Sequence, residues 1–240
     1  MTLFDNYTLK ARIYPIAILF LPIIVIGIAY SIEVENIFYS ISSLGIGGVL
    51  TYLFSQLGRD MGKLKEKGLW QSWGGPPTTI ILRLSDSTID SVTKKRYHTK
   101  LLSLCPVIPI PSLQIETTTP QVSDEAYAAW TRYLLSRTRD SKSFPLLLKE
   151  NTSYGFRRNL WGLKLYGITI CLVVLIFNYV LWLALTKTWN PVVFPYTFHF
   201  STIVLIAILL FWIVVVTKAW IKIIAFAYAD RLLETTEILN

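Results

Sequence analysis

The sequence predicts an all-α integral membrane protein, in which four transmembrane helices carry a mainly helical cytoplasmic domain inserted between helices two and three. Composition is the first reason, because 53% of the 240 residues are hydrophobic and only 16% are charged. Soluble domains carry about a quarter charged residues. Clustering is the second reason, since the apolar residues fall in four long segments, and an α-helix needs about 20 such residues to cross a bilayer.

The four apolar segments are predicted to form two helical hairpins. The first hairpin joins residues 13–31 to residues 37–57, and the second joins residues 163–185 to residues 200–216. Residues 1–12 mix apolar and charged side chains. This mixture suits a short helix at the membrane interface or, equally, a frayed tail.

The predicted spans divide the chain into three parts. Residues 1–57 form the interfacial helix and the first hairpin, residues 58–160 a basic cytoplasmic domain, and residues 161–240 the second hairpin with a C-terminal cytoplasmic helix. We expect that last helix to continue the fourth span without a break. The middle part has 16 Lys and Arg against 9 Asp and Glu, a net charge of +7. Basic residues favour the cytoplasmic side of a membrane, which places this domain and both termini in the cytoplasm.

Small and polar residues recur on one face of the second span, at helical spacings of three and four residues. They are Ser40, Ser43, Gly47, Thr51 and Ser55. Small residues four apart let membrane helices pack closely. Polar residues at bilayer depth also line water-filled cavities, so the same face suits the pore of an oligomer. Both explanations stay open at this point, and they are compatible at different depths.

The second span is predicted to continue out of the membrane as a basic helix as far as Trp70. The run Gly74–Pro77 then ends it, because adjacent glycines and prolines interrupt helices. A short apolar run follows at Ile80–Leu82, the one place in the domain where a strand is considered.

The remainder of the cytoplasmic domain is also predicted to be helical. Residues 88–104 form a helix with Asp86 or Ser87 as its cap, and residues 105–123, which contain four prolines, form an extended loop. The next helix runs from Ser123 to about Arg139, with an apolar face of Tyr127, Trp130, Tyr133 and Leu134. A final helix begins at Pro145 and leads into the third span.

The sequence offers little for catalysis. His98 and His199 are predicted to lie on opposite sides of the membrane, so they cannot share a metal site or a catalytic triad. Gly74 and Gly75 lack the Lys-Ser/Thr context of a phosphate-binding loop. Lone carboxylates without a partner rarely form a site. We therefore expect neither an enzyme nor a metal or other cofactor.

Binding of an anionic ligand is better supported, because arginine combined with aromatic rings holds phosphates and stacks bases. The candidate ligand-binding residues are Arg83, Lys94, Lys95, Arg96, Arg137, Arg139, Arg157, Arg158, Trp70 and Trp73. Basic residues close to a membrane also bind anionic lipid, and aromatic residues also fill a small core. This second explanation stays open as well.

Several short runs in and beside this domain carry a resemblance. They are Trp70, Trp73-Gly74-Gly75-Pro76-Pro77-Thr78, Leu82-Arg83 with Asp86, Arg137-Thr138-Arg139-Asp140, Phe144-Pro145, Glu150-Asn151, Tyr154-Gly155-Phe156-Arg157-Arg158-Asn159 and Gly162-Leu163-Lys164. In these residues the chain resembles a family of poorly characterised bacterial four-span membrane proteins associated with anti-phage defence loci. The resemblance covers the domain and both flanking helix junctions, and it assigns no ligand-binding residue.

The resemblance implies a homo-oligomeric ion channel effector in the bacterial inner membrane. Its cytoplasmic domain would respond to a nucleotide or short oligonucleotide made by a partner nucleotidyltransferase, and opening would depolarise the infected cell. Expected partners are therefore membrane lipid, further copies of the chain and that ligand. The alternative hypothesis is a membrane anchor or scaffold that recruits a cytosolic partner protein, which predicts co-purification with that protein and no conductance.

Overall fold

The structure, a computed structural model, describes residues 6–30 and 46–239. Over this part of the chain the regular elements are helices, and no β-strand occurs there, which confirms the all-helical prediction. The main helices are α1 (Asn6–Ala29), α2 (Ile46–Trp73), α3 (Pro77–Leu82), α4 (Ser91–Leu104), α5 (Leu113–Thr118), α6 (Pro120–Arg137), α7 (Pro145–Thr186), α8 (Tyr196–Val215) and α9 (Lys218–Glu234).

Three of the described helices are long and apolar enough to cross a membrane, namely α1, α7 and α8. They fit the prediction of a membrane protein. The predicted second span, 37–57, begins outside the described residues, and the helix α2 is described from Ile46 onward. The four-span layout therefore stays a prediction.

The described residues before the first predicted span, 6–12, are helical and continue directly into the rest of α1. A π-helical turn, Leu9–Ile13, lies at the junction. Pro15 explains it, because proline has no amide hydrogen to donate to the carbonyl of Ala11, four residues earlier. The side chain of Asn159 replaces the missing donor, because its Nδ2 donates to the Ala11 carbonyl at 2.7 Å.

The Gly-Pro run ends α2 as predicted. Gly74 and Gly75 adopt φ angles of 94° and 142°, a region that other residues rarely adopt. The amide of Gly75 donates to the carbonyl of Trp70 at 2.8 Å, which satisfies one of the carbonyls exposed at the helix end. The next helix, α3, contains Ile80–Leu82, so the strand considered for that run does not form.

Helix α7 is a single helix of 42 residues that begins at Pro145 as predicted. It crosses α2 where glycines of the two helices meet. A Cβ atom on Gly162 would lie 2.6 Å from the carbonyl carbon of Met61 and 2.8 Å from Cα of Gly62. Lys65 adds a bond at this crossing, donating from Nζ to the carbonyl of Gly162 at 3.1 Å.

The fourth span does not continue into the C-terminal helix, contrary to the prediction. Helix α8 ends in a π-helical turn, and the backbone leaves helical geometry at Val216, with φ −75° and ψ 83°. Thr217 then caps α9, its Oγ1 accepting from the amide of Trp220 at 3.2 Å. The carbonyls freed at the break accept from Lys164 Nζ, at 3.1 Å for Ile213 and 2.8 Å for Val216.

Two boundaries in the middle of the chain also differ from the predicted ones. The cap of α4 is Asp90, whose carboxylate accepts from the amide of Thr93 at 2.8 Å, and not Asp86 or Ser87. The predicted loop 105–123 contains α5, capped by Ser112, and α6 already starts at Pro120. A proline in the first turn of a helix loses no hydrogen bond, which explains that start.

The described residues divide into two compact units. The membrane unit comprises the described residues up to Lys65 together with Gly155–Trp220, and the polar unit comprises Glu66–Tyr154 with the C-terminal residues from Ile221. The first segment of the polar unit, Glu66–Tyr154, lies inside the predicted domain 58–160, and the unit also includes most of α9. Its core contains the predicted residues Tyr127, Trp130 and Leu134, each at most 1% exposed, packed with Leu232 and Leu233.

The membrane unit has its own apolar core and a buried polar network. The core includes Leu163, Cys171 and Trp212. In the network, Nδ2 of the fully buried Asn178 donates to Ser201 Oγ at 3.1 Å and to Thr202 Oγ1 at 3.0 Å, while Tyr30 donates its hydroxyl hydrogen to Asn178 Oδ1. Polar groups that find partners across helices in this way hold membrane helices together.

Candidate functional site

Three of the predicted ligand-binding cations in the polar unit already bond other groups of the same unit. Arg83 forms a two-pronged pair with Asp124, at 2.9 Å from Nε and 2.7 Å from Nη2, and this hydrogen bonding raises the pKa of Arg83. Lys94 is 4% exposed, and its Nζ donates to the backbone carbonyls of Arg83 and Asp86. Arg96 pairs with Glu237 at 2.7 Å.

The two predicted arginines of the membrane unit also make internal contacts. Arg157 donates from Nη1 to the carbonyl of Trp220 at 2.7 Å, and its guanidinium carbon lies 4.5 Å from the centre of that indole ring. Arg158 is 6% exposed and contacts Oδ1 of Asn159. Guanidinium donors that already bond groups of the protein are less available to a ligand, because those bonds would have to break. Arg137 and Arg139, by contrast, are exposed near the end of α6.

A cavity of about 350 Å³ in the polar unit brings together residues from two of the runs that carry the resemblance, Trp73–Thr78 and Tyr154–Asn159. We call it the motif cavity. Trp70 from the last turns of α2, Thr78 and Thr79 from α3, and Tyr154 from α7 line it, together with Thr131 and Arg132 of α6 and Tyr228 of α9. The reversal at Gly74 and Gly75 places α3 beside the end of α2, which explains how one short run supplies two walls.

Aromatic rings form one side of the motif cavity. The rings of Tyr154 and Tyr228 are stacked, with their centres 6.1 Å apart and their planes at 10°. The Tyr154 hydroxyl donates to Oε1 of the buried Glu66 at 2.9 Å, which fixes the ring. The indole nitrogen of Trp70 is buried and has no hydrogen-bond partner among the described residues. An unsatisfied buried donor is unusual in native structures.

The lining suits a planar ligand that carries a negative charge. Among the described residues that line the cavity none is acidic, Arg132 supplies a cation, and three threonines supply hydroxyl groups. Apolar and aromatic walls with a few polar groups are typical of small-molecule sites, and the volume falls within the usual range of about 300–1,000 Å³. Arginine beside aromatic rings can pair with an anion while a ring stacks.

Only Trp70 of the predicted ligand-binding residues lines the motif cavity, while Trp73 instead packs edge-on against Phe226 at 6.3 Å. The candidate residues were predicted from charge and aromaticity in the sequence. The three threonines of the lining, Arg132 and Tyr228 were therefore missed. The run Trp70–Thr79 was a usable signal for the threonines. No local pattern links Tyr228 to that run, because α9 reaches the site only through tertiary packing.

A second cavity of about 520 Å³ in the polar unit contains Lys94 and Lys95. Asp86 and Asp90 line it too, so its two cations face two carboxylates. His98 stands between the rings of Tyr127 and Trp130, and its Nε2 bonds the carbonyl of Leu82 at 2.8 Å. Burial lowers the pKa of His98, which keeps the ring neutral near pH 7. The balanced charge makes this cavity a weaker anion site than the motif cavity.

The predicted pore face can be followed only in part. Ser40 and Ser43 lie outside the described residues, and Gly47 and Thr51 fall in the part of α2 that is described by its backbone alone. Ser55 is 2% exposed, and its Oγ donates to the carbonyl of Tyr52 at 2.7 Å. At Ser55 the structure thus fits the explanation by helix packing.

No group of three His, Cys, Asp or Glu residues within the described ranges is placed to hold a metal ion. Comparison of the chain with family models, with curated proteins and with solved structures finds no match.

Proposed function

We propose that this chain is a ligand-controlled membrane protein, an ion channel when several copies assemble, and that the motif cavity receives the ligand. The observation that carries the proposal is the meeting of Trp70 and Tyr154 in one cavity. Each belongs to a helix, α2 or α7, that also supplies residues of the membrane unit. A change at the cavity therefore acts on helices that enter the membrane unit.

The ligand class follows from the lining of the motif cavity. One cation, stacked tyrosines and threonine hydroxyls suit a nucleotide-sized molecule, with its ring against the aromatic wall and its negative charge at Arg132. The resemblance to defence-associated membrane proteins implies the same class of ligand and a role in anti-phage defence. The excess of basic residues favours a cytoplasmic position for the polar unit. Such a ligand controls the channel only if it binds the open and closed forms unequally.

The proposal is tested with purified protein in liposomes that contain a potassium-sensitive dye. Nucleoside monophosphates, cyclic nucleotides and short oligonucleotides are added in turn, and ion flux is recorded. We expect at least one of them to change the flux of the wild-type protein. Absence of flux with every ligand, together with stoichiometric co-purification of a cytosolic protein, would favour the membrane anchor instead.

Two tryptophan variants of α6 locate the site. Thr131→Trp fills the motif cavity, whereas Ser136→Trp places the same side chain at an exposed position of the same helix. We expect Thr131→Trp to abolish the response to ligand and Ser136→Trp to keep it. A normal response of a correctly folded Thr131→Trp protein would move the ligand site elsewhere.

A further inference from the structure

We propose that the polar unit docks on an anionic membrane surface through a face formed by Val92, Lys95, Lys100, Ile108 and Ile110. We call it the α4-loop face. It is separate from the motif cavity, and the proposal does not depend on channel activity or on a ligand. The chemical partner is the phosphate-bearing surface of the bilayer.

The apolar part of the face is unusual for a surface that meets only water. Ile108 is 98% exposed, Val92 is 72% exposed and Ile110 is 57% exposed. Both isoleucines lie in Cys105–Ser112, the segment between α4 and α5. This segment contains no charged residue and has prolines at positions 106, 109 and 111. Clustered exposed apolar residues mark interaction sites, whereas single ones are common on any surface.

Lysines lie beside two of these apolar residues, Val92 and Ile110. The outward side of α4 forms a shallow depression lined by Val92, Lys95, Arg96 and Lys100, among others. Lys95 also lines the second cavity together with Ile110, so α4 and the loop border a common surface there, and the carboxylates of Asp86 and Asp90 line the same cavity. Arg96 is paired with Glu237, but neither Lys95 nor Lys100 has a carboxylate partner among the described residues.

A membrane fits this face better than a protein partner. Apolar side chains flanked by lysines are the pattern of segments that lie at a bilayer interface, where the lysines meet anionic headgroups. Lysine is depleted in the cores of protein interfaces. The polar unit is also linked covalently, through α2 and α7, to a unit that contains helices long and apolar enough to cross a membrane. This tether keeps the bilayer at a high effective concentration, so even a weak contact forms.

The contact is tested in the full-length protein with a fluorophore at the loop tip. Ile108→Cys is labelled with an environment-sensitive dye in a Cys105→Ser background, Cys171 being fully buried. The protein is reconstituted in phosphatidylcholine vesicles with or without phosphatidylglycerol, some of which carry nitroxide lipids. We expect blue-shifted emission and nitroxide quenching in the phosphatidylglycerol vesicles. In the double variant Lys95→Gln, Lys100→Gln we expect the nitroxide quenching to fall several-fold.

A second labelling position provides the control. Ser141→Cys lies in the exposed turn between α6 and α7, away from this face in sequence, and its label should stay open to iodide in both vesicles. If iodide quenches the label at position 108 as strongly as the label at 141, the proposal is wrong. Protection from iodide without nitroxide quenching would also overturn it, because the face would then be covered by protein, either a second copy or another chain.

Discussion

A close backbone contact between α2 and α7 depends on two glycines, Gly62 and Gly162. The Cβ of an alanine at 162 would meet main-chain atoms of Met61 and Gly62 at 2.6 and 2.8 Å, and main-chain atoms cannot rotate away. An alanine at 62 would likewise lie 3.0 Å from Cα of Asn159. The two helices must therefore separate to accept either side chain.

We expect Gly162→Ala to lower the free energy of unfolding by about 1–3 kcal/mol, the usual cost of overpacking. The measurement is the unfolding midpoint of the protein in detergent, monitored by near-UV circular dichroism. Gly68→Ala is the matched control, because a Cβ there meets nothing within 4 Å, and alanine favours helix by about 1 kcal/mol over glycine. Equal stability of the two variants would show that the crossing is looser than the structure indicates.

Two side chains support the break between α8 and α9, Thr217 as the cap of α9 and Lys164 at the end of α8. Where a helix stops, its last carbonyls lose their partners, and in an apolar environment they must find new donors. Lys164 supplies them from α7, with Nζ bonded to the carbonyls of Ile213 and Val216. Its ammonium group also lies 5.5 Å from the ring centre of Trp161.

We expect Lys164→Met, which keeps the length of the side chain but removes the donors, to cost about 1–3 kcal/mol in unfolding free energy. Lys164→Arg should recover most of the loss, since a guanidinium can reach both carbonyls. Lys218→Met removes an exposed lysine just beyond the break and should change stability by less than about 0.5 kcal/mol. The same unfolding measurement in detergent compares all three variants. A Lys164→Met protein as stable as the wild type would contradict this role of Lys164.

Elements were predictable from sequence wherever a residue acts on its own backbone. Gly74 and Gly75 end α2 through their own φ angles, and Pro145 begins α7, so both ends were placed correctly. The break at Val216 was missed because Phe211–Val216 is uniformly apolar and the stabilising lysine lies on another helix.

For the molecule as a whole, the core of the polar unit was predicted but the lining of the motif cavity was not. The helical spacing of Tyr127, Trp130 and Leu134 identifies a buried face regardless of what it packs against. A binding site has no such period. Arg83 and Lys94 looked available in the sequence, yet partners 41 and 11 residues away occupy them, and only the fold shows this.

The two units have separate apolar cores, and this separation has a measurable consequence. Trp130, 1% exposed, fills the core of the polar unit and donates from Nε1 to the carbonyl of Cys105 at 2.9 Å. Leu163, 4% exposed, belongs to the core of the membrane unit. Truncating a large buried residue costs about 2–5 kcal/mol, and the loss falls first on the core that contained it.

We therefore expect Trp130→Ala to increase hydrogen exchange in residues 66–154 and 221–239, and to leave the exchange of residues 155–220 close to that of the wild type. Leu163→Ala should give the opposite pattern. Mass spectrometry of the full-length protein in lipid nanodiscs measures both regions in one sample. If either substitution raised hydrogen exchange equally in both regions, the two units would unfold as one cooperative unit. The helices α2 and α7, which run through both units, would then account for that coupling.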